Sequence, residues 1–263
     1  MYAYVLGVKK NFRGETLIKD LTAQGFKTIV IEGPDLSDEK DRVEVSSYIN
    51  QKYAKFTIRR LVKPQEIACT IGHMRMFKKH LESSDDWALF LEDDAILKSG
   101  LRDFVSQLKS TKHPTQIFVH DGPGTNLSKI KILRDELNNN QKMLRIFDPN
   151  YGAYGYLLNR KGIEAILNSQ SIKYINTPDW PYAWPIFMRF YKTREIYISH
   201  PPEGPSIIGQ RVNSKNSMWY QIPNPVRFIY GIALGLRLTT LFYREIYSKT
   251  IRILKQTHRK MCR

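Results

Sequence analysis

Cysteine is scarce: the 263 residues hold two, Cys69 inside a helical pattern and Cys262 beside the C-terminus. Thiols so placed make no disulfide framework and suit a reducing compartment. The opening MYAYVLGVKKNF lacks a basic stretch followed by a long apolar one, so it reads as a first strand rather than a secretory leader. The chemistry is therefore expected in the cytoplasm. No internal repeat and no low-complexity run is present, which excludes solenoids and compositionally disordered chains. Acidic side chains are outnumbered, 25 Asp and Glu against 41 Lys and Arg, for a formal charge of +16. That surplus predicts a polyanionic neighbour: nucleic acid, an anionic membrane face or a phosphorylated substrate. No zinc-finger, helix-turn-helix or RNP-like pattern accompanies it, so nucleic acid is not the expected partner.

What is present is enough apolar material, 42% of residues, for one sizeable α/β domain with a real core. Tyr2 to Leu6 is an apolar and aromatic run closed by Gly7. Leu17, Ile18 and Leu21 then recur at helical spacing before Gly25, and Thr28 to Ile31 is β-branched before Gly33-Pro34. Strand, helix and strand in about thirty residues is the unit from which parallel sheets are built. From Pro64 a second helix carries Ile67, Ile71, Met74, Phe77 and Leu81 as an apolar stripe. Trp87 to Leu91 is the next buried strand, followed by a helix over 101–108 and a strand over Gln116 to Val119. Lys129 to Leu133 and Met143 to Phe147, bridged by three asparagines, predict a hairpin. Tyr154 to Leu158 and Lys161 to Leu167 are again strand then helix.

The strand ending at Leu91 runs straight into Glu92-Asp93-Asp94. In open α/β sheets ligands bind at the carboxyl ends of strands, so three carboxylates arrive where chemistry is done. A diphosphate leaving group carries charge that must be neutralised as its bond breaks, and a divalent ion held by one or two carboxylates does this. If the strand geometry continues, the outer pair Glu92 and Asp94 share a face while Asp93 points elsewhere. Taken alone, an acidic triplet is as readily a solvated turn.

About twenty residues upstream, EIACTIGH (Glu66 to His73) resembles the E-x-x-C-x-x-S-H block of glycosyltransferase family 25. Weaker resemblances keep the family's order: AYVLGVKKNFR at the start, the strand–helix block over 154–167, TPDW (Thr177 to Trp180), and a Pro-rich segment ending at Gln210. Two departures stand out. Gly72 replaces the usual serine, removing any hydroxyl contact there, and Gly155 replaces a common alanine, a change expected to be harmless. The resemblance covers roughly residues 2–220. It implies a GT-A-like, Rossmann-like mixed sheet flanked by helices, over residues 1–222. It further implies inverting transfer of a hexose, typically galactose, from a UDP-sugar to a bacterial lipopolysaccharide or lipooligosaccharide acceptor, with Mn²⁺ or Mg²⁺ as the usual ion. Transfer to a capsular or protein-linked glycan is the neighbouring reading, and a basic nucleic-acid-binding protein is the reading from another class.

On that resemblance Asp94 is the metal or diphosphate ligand, with Glu92 or Asp93 on the donor ribose or the ion's water shell. Inversion needs a base beside the acceptor hydroxyl. Asp179, in the Pro- and Trp-rich TPDWPYAW, is the candidate, a helix N-cap or turn aspartate being the alternative. Glu66, Cys69 and His73 share one helical face. Cysteine and histidine supply only two zinc ligands there, and no second pair follows, which argues against zinc. His73 is read as a hydrogen-bond donor to the donor sugar or phosphate, or as a packed histidine behind the site. Glu66 is read as positioning His73 or binding a sugar hydroxyl. Arg13 follows the first strand and can pair with phosphate. His200 is a late histidine able to complete a metal shell.

Beyond Pro223-Asn224-Pro225 the composition changes, and residues 223–263 are expected to form a basic amphipathic helical tail. Arg244, Arg252, Lys255, Arg259 and Lys260 crowd one side of a helix; Ile246, Tyr247, Ile253, Leu254 and Met261 fall opposite. Residues 226–243 are apolar, but Arg227 and Arg237 interrupt them, each costing about 2.5–3.5 kcal/mol at a membrane-helix centre. An interfacial helix on anionic headgroups fits better, which makes the enzyme peripheral on the inner face of the cytoplasmic membrane.

Overall fold

The computed structural model describes residues 1–8, 10, 12–52, 54, 61–120, 134–135, 143–146, 153–170 and 188–201. The opening unit is β1 (Tyr2–Gly7), α1 (Glu15–Ala23) and β2 (Lys27–Glu32), with β1 and β2 parallel and Tyr2 opposite Lys27. Then follow α2 (Glu39–Tyr48), α3 (Pro64–Leu81), β3 (Trp87–Glu92), β4 (Ile96–Leu97) and α4 (Leu101–Ser106). The second half contributes β5 (Thr115–Phe118), β6 (Arg134–Asp135), β7 (Met143–Ile146), β8 (Gly155–Asn159), α5 (Arg160–Gln170), β9 (Arg189–Lys192) and β10 (Ile198–Ser199).

Eight of these strands form one sheet in the order β2-β1-β3-β8-β5-β9-β7-β6, and β10 pairs with β4 beside it. The sheet is mixed, as expected: β2, β1 and β3 run parallel, whereas β8 is antiparallel to both β3 and β5. Side chains two residues apart share a face, and both faces are buried. Ala3, Val5, Leu89, Leu91 and Leu157 join one core with Leu17 and Leu21 of α1 and Phe104 of α4. Tyr4, Leu6, Phe90, Tyr156 and Leu158 join the other with Met76 and Phe77 of α3. Fully burying a side chain of this size contributes about 1.5–3 kcal/mol, so the strands delivering the site are among the best anchored.

Two expectations are extended and one is corrected. Along α3 the buried face takes in Met76, His80, Glu66 and His73 as well, with Met74 and Leu81 half-buried against the core. The hairpin's second strand forms as β7 and pairs antiparallel with Arg134–Asp135, directly after the expected first strand; Lys129 to Leu133 themselves lie outside the described residues. The change at Gly155 is coupled to a neighbour: a Cβ there would lie 2.8 Å from two carbons of Ile198, whose side chain fills the space. Gly72 is similar, since an added Cβ would meet Leu6 Cδ1 at 2.5 Å and Cδ2 at 2.8 Å. The helix thus lies against β1 closer than any residue with a side chain allows without moving Leu6.

Candidate active site

At the carboxyl ends of β1, β2 and β3 a cleft of about 320 Å³ opens, lined among others by Gly7, Arg13, Asp35, Cys69, Glu92, Asp93, Asp94 and His200. Glu92 is the last residue of β3, and the Ala95 amide donates back to the Glu92 carbonyl at 3.1 Å. This turn ends the alternation assumed from the sequence. Asp93 and Asp94, not Glu92 and Asp94, become the pair that acts together. Arg13 Nη2 lies 3.1 Å from Asp93 Oδ1 and 3.0 Å from Asp94 Oδ2, and the Arg13 amide donates to Asp93 Oδ2 at 3.1 Å.

The loop after β1 makes that contact possible. A Cβ on Gly7 would lie 2.3 Å from a ring carbon of Phe12 and 3.2 Å from Asp93 Oδ2. Glycine therefore lets the ring fold over the strand end and present Arg13 to the carboxylates. Burial pushes the Asp93 carboxyl above its ordinary range, and the Arg13 guanidinium and amide only partly offset it. Arg13 itself is held above its ordinary value: burial opposes this, but the Asp93 and Asp94 charges prevail.

Asp94 has a second neighbour. His200 Nε2 lies 3.2 Å from Asp94 Oδ2, while its Nδ1 donates to the Pro201 carbonyl at 2.9 Å. With the proton on Nδ1, a neutral ring turns a lone pair toward a carboxylate, an arrangement that calls for a second proton or a cation between them. The other oxygen, Asp94 Oδ1, is buried without a hydrogen-bond partner. Carboxylate oxygen and imidazole nitrogen, as Asp94 and His200 offer them here, are donor types a divalent ion takes.

Glu92 faces the other way. Its Oε1 accepts from the Cys69 thiol at 3.5 Å and lies 3.6 Å from His73 Nε2. Burial pushes the Glu92 carboxyl up, but the hydrogen bond and charge of His73, with help from Cys69 and His200, bring it below the ordinary carboxylate range. His73 is fully buried, and its Nδ1 is 2.7 Å from the Tyr156 hydroxyl. It stands behind Glu92, the packed alternative, rather than on the cleft wall. Glu66 is also set apart: its Oε2 accepts the Lys63 amide at 2.9 Å, closing the first turn of α3. Asp179, with the rest of TPDW, lies outside the described residues.

Two groups escaped the reading of the sequence, one on the cleft wall and one buried behind it. Asp35, just after β2, is held by the Ser37 amide at 2.8 Å and lies 3.5 Å from Lys10 Nζ. Its signal was the acidic residue after the second strand of a βαβ unit. Tyr156 gave none, because it sits in an apolar run.

No curated protein matches this chain. Solved structures similar to it include two of one galactosyltransferase. One is galactosyltransferase LgtC in complex with donor and acceptor sugar analogues, at 10% identity and TM-score 0.39 over 88% of this chain and 95% of that one. The other is an active-site mutant of LgtC, at 10% identity and TM-score 0.42 over 86% and 99%. The family model of glycosyltransferase family 25, described as an LPS biosynthesis protein, matches residues 1–179, and the chain belongs to that family.

Proposed function

We propose that this glycosyltransferase moves a hexose, galactose in the first instance, from a UDP-sugar to a lipopolysaccharide-type acceptor with inversion, on a GT-A-type domain spanning residues 1–222. The observation that carries it is the Asp94 carboxylate at the end of β3, with one buried oxygen lacking a hydrogen-bond partner and His200 facing the other. Asp94 and His200 fit a divalent ion, Mn²⁺ or Mg²⁺, whose charge when bound would offset that of the departing diphosphate. Arg13, exposed on the cleft side, is in place to pair with a phosphate oxygen as it already does with carboxylates. Asp35, held by Ser37, offers acceptor oxygens to ribose hydroxyls at the end of β2. Glu92, kept ionised by His73, supports an acceptor role toward the donor. Asp179 is assigned the acceptor proton on the family resemblance alone.

The tail over 223–263 is assigned to an anionic membrane face on its charge pattern, which sets the enzyme where lipid-anchored acceptors are built. The test is release of UDP from a panel of UDP-hexoses by the purified chain, with and without Mn²⁺. We expect slow, metal-stimulated release that falls by about a hundredfold or more in Asp94→Asn, the scale of losing a group that stabilises developing charge. Equal turnover in wild type and Asp94→Asn would remove Asp94 from the centre of the chemistry.

A further inference from the structure

The side chains behind the cleft form a second constellation, which shares only Glu92 with the donor-binding reading. Cys69 Sγ, His73 Nε2 and a Glu92 carboxylate oxygen all lie within 4.8 Å of one another. The separations from Glu92 Oε1 are 3.5 Å to the sulfur and 3.6 Å to the imidazole nitrogen. A tetrahedral zinc ion with bonds of about 2.3 Å to sulfur and about 2.0–2.2 Å to nitrogen or oxygen sets its ligands about 3.3–3.8 Å apart. Two of the three separations already match such a shell, and the third, between sulfur and imidazole nitrogen, is within 4.8 Å.

The chemistry agrees with the spacing. Thiolate, imidazole and carboxylate together select a borderline-soft ion, in contrast to the harder Asp94 and His200 pair. The Cys69 thiol proton stands between sulfur and the Glu92 carboxylate at 3.5 Å, a place a cation takes when that proton leaves. A metal-bound histidine ordinarily hands its other nitrogen to a fixing partner, and His73 Nδ1 meets the Tyr156 hydroxyl at 2.7 Å. The three residues come from rigid elements, α3 and the last position of β3. Cys69 and Glu92 both reach the cleft wall, which gives an ion an entry path. Sequence alone offered two ligands at i and i+4; the third arrives only when β3 packs against α3.

We propose that Cys69, His73 and Glu92 form a binding site for a zinc-class ion, separate from the Asp94 and His200 pair and independent of the transferase reading. Binding displaces the Cys69 proton to solvent and leaves the site with two anionic ligands for a dication.

Cobalt(II) is the probe, because a cobalt–thiolate bond gives a near-ultraviolet charge-transfer band that oxygen and nitrogen ligands do not. The full chain, stripped with chelator, is titrated with Co²⁺ and then with Zn²⁺. The proposal expects one equivalent of the band, its displacement by Zn²⁺, its loss in Cys69→Ser, and its retention in Cys262→Ser and Asp94→Asn. Cys69→Ser keeps the shape of the side chain, and its far-ultraviolet dichroism is expected to match wild type. Zinc should raise the melting temperature of wild type and Asp94→Asn but not of Cys69→Ser. No band in the wild type, a band that survives Cys69→Ser, or one that vanishes in Asp94→Asn overturns the proposal. None of these readouts depends on sugar transfer, so failure here leaves the transferase reading standing, and the reverse.

Discussion

Glu92 and Asp93 are adjacent in sequence and opposite in electrostatics. The folded-state pKa of Glu92 is lowered, so its stabilisation is present above the ordinary value of 4.5 and is lost as pH falls through the folded value. That of Asp93 is raised by burial, so its contribution is complete below 3.8 and is lost as pH rises through the folded value. Urea unfolding of Glu92→Gln and Asp93→Asn from neutrality into acid should therefore give slopes of opposite sign. Glu92→Gln should destabilise more at neutral pH than in acid, and Asp93→Asn less. Parallel slopes would contradict the division of the triplet between His73 and Arg13. From the sequence that division was drawn differently, because alternation was carried past Glu92. The carboxylates were legible; the turn at Ala95 and the reach of Arg13 across 80 residues were not.

Helix α3 and strand β1 meet at Gly72 and Leu6. In a helix interior Gly→Ala ordinarily gains about 1 kcal/mol from backbone entropy. Here the new Cβ would meet a buried Leu6, whose Cγ is 3.2 Å away and whose methyl carbons are closer. Overpacking of this kind costs about 1–3 kcal/mol, so Gly72→Ala is expected to lower stability by about 1 kcal/mol net. Adding Leu6→Val should recover most of that loss, and a double-mutant cycle by thermal unfolding measures the coupling. Additivity of the two changes would show that the contact is not what keeps glycine there. The same helix marks the limit of periodicity. Counting apolar residues finds Ile67, Ile71 and Phe77 but passes over Glu66, His73 and His80, which are buried through hydrogen bonds and ring contacts. The first βαβ unit was readable because apolar runs alternate with Gly and Pro. α2 was not: Val45 is its lone buried side chain among charges, and its start depends on Asp38 capping Asp41. β9, with sequence RFYK, carries no alternation that marks it as a strand buried beside β5.

At the scale of the whole molecule the formal charge of +16 does not come from the cleft, whose described lining sets Arg13 against Asp35, Glu92, Asp93 and Asp94. Arg13 is shared there between Asp93 and Asp94, which leaves the described cleft acidic and suits it to a cation that accompanies an anionic donor. The tail concentrates Arg252, Lys255, Arg259 and Lys260 within nine positions, with no acidic residue among them. Near an anionic bilayer each such cation contributes about 1 kcal/mol, and the attraction dies away within a Debye length of about 10 Å at 0.1 M salt. Replacing these four by glutamine should therefore weaken binding of the full chain to phosphatidylserine vesicles on the order of a thousandfold at low salt. The loss should be smaller at high salt, where wild-type binding is itself screened, and UDP release in solution should be untouched because the cleft charges are unchanged. Vesicle co-sedimentation across a salt series, run beside the UDP assay, separates membrane attraction from cleft chemistry. Binding that survives the four substitutions would move the attraction to the catalytic domain, and a matching fall in UDP release would tie the tail to the cleft instead of to lipid.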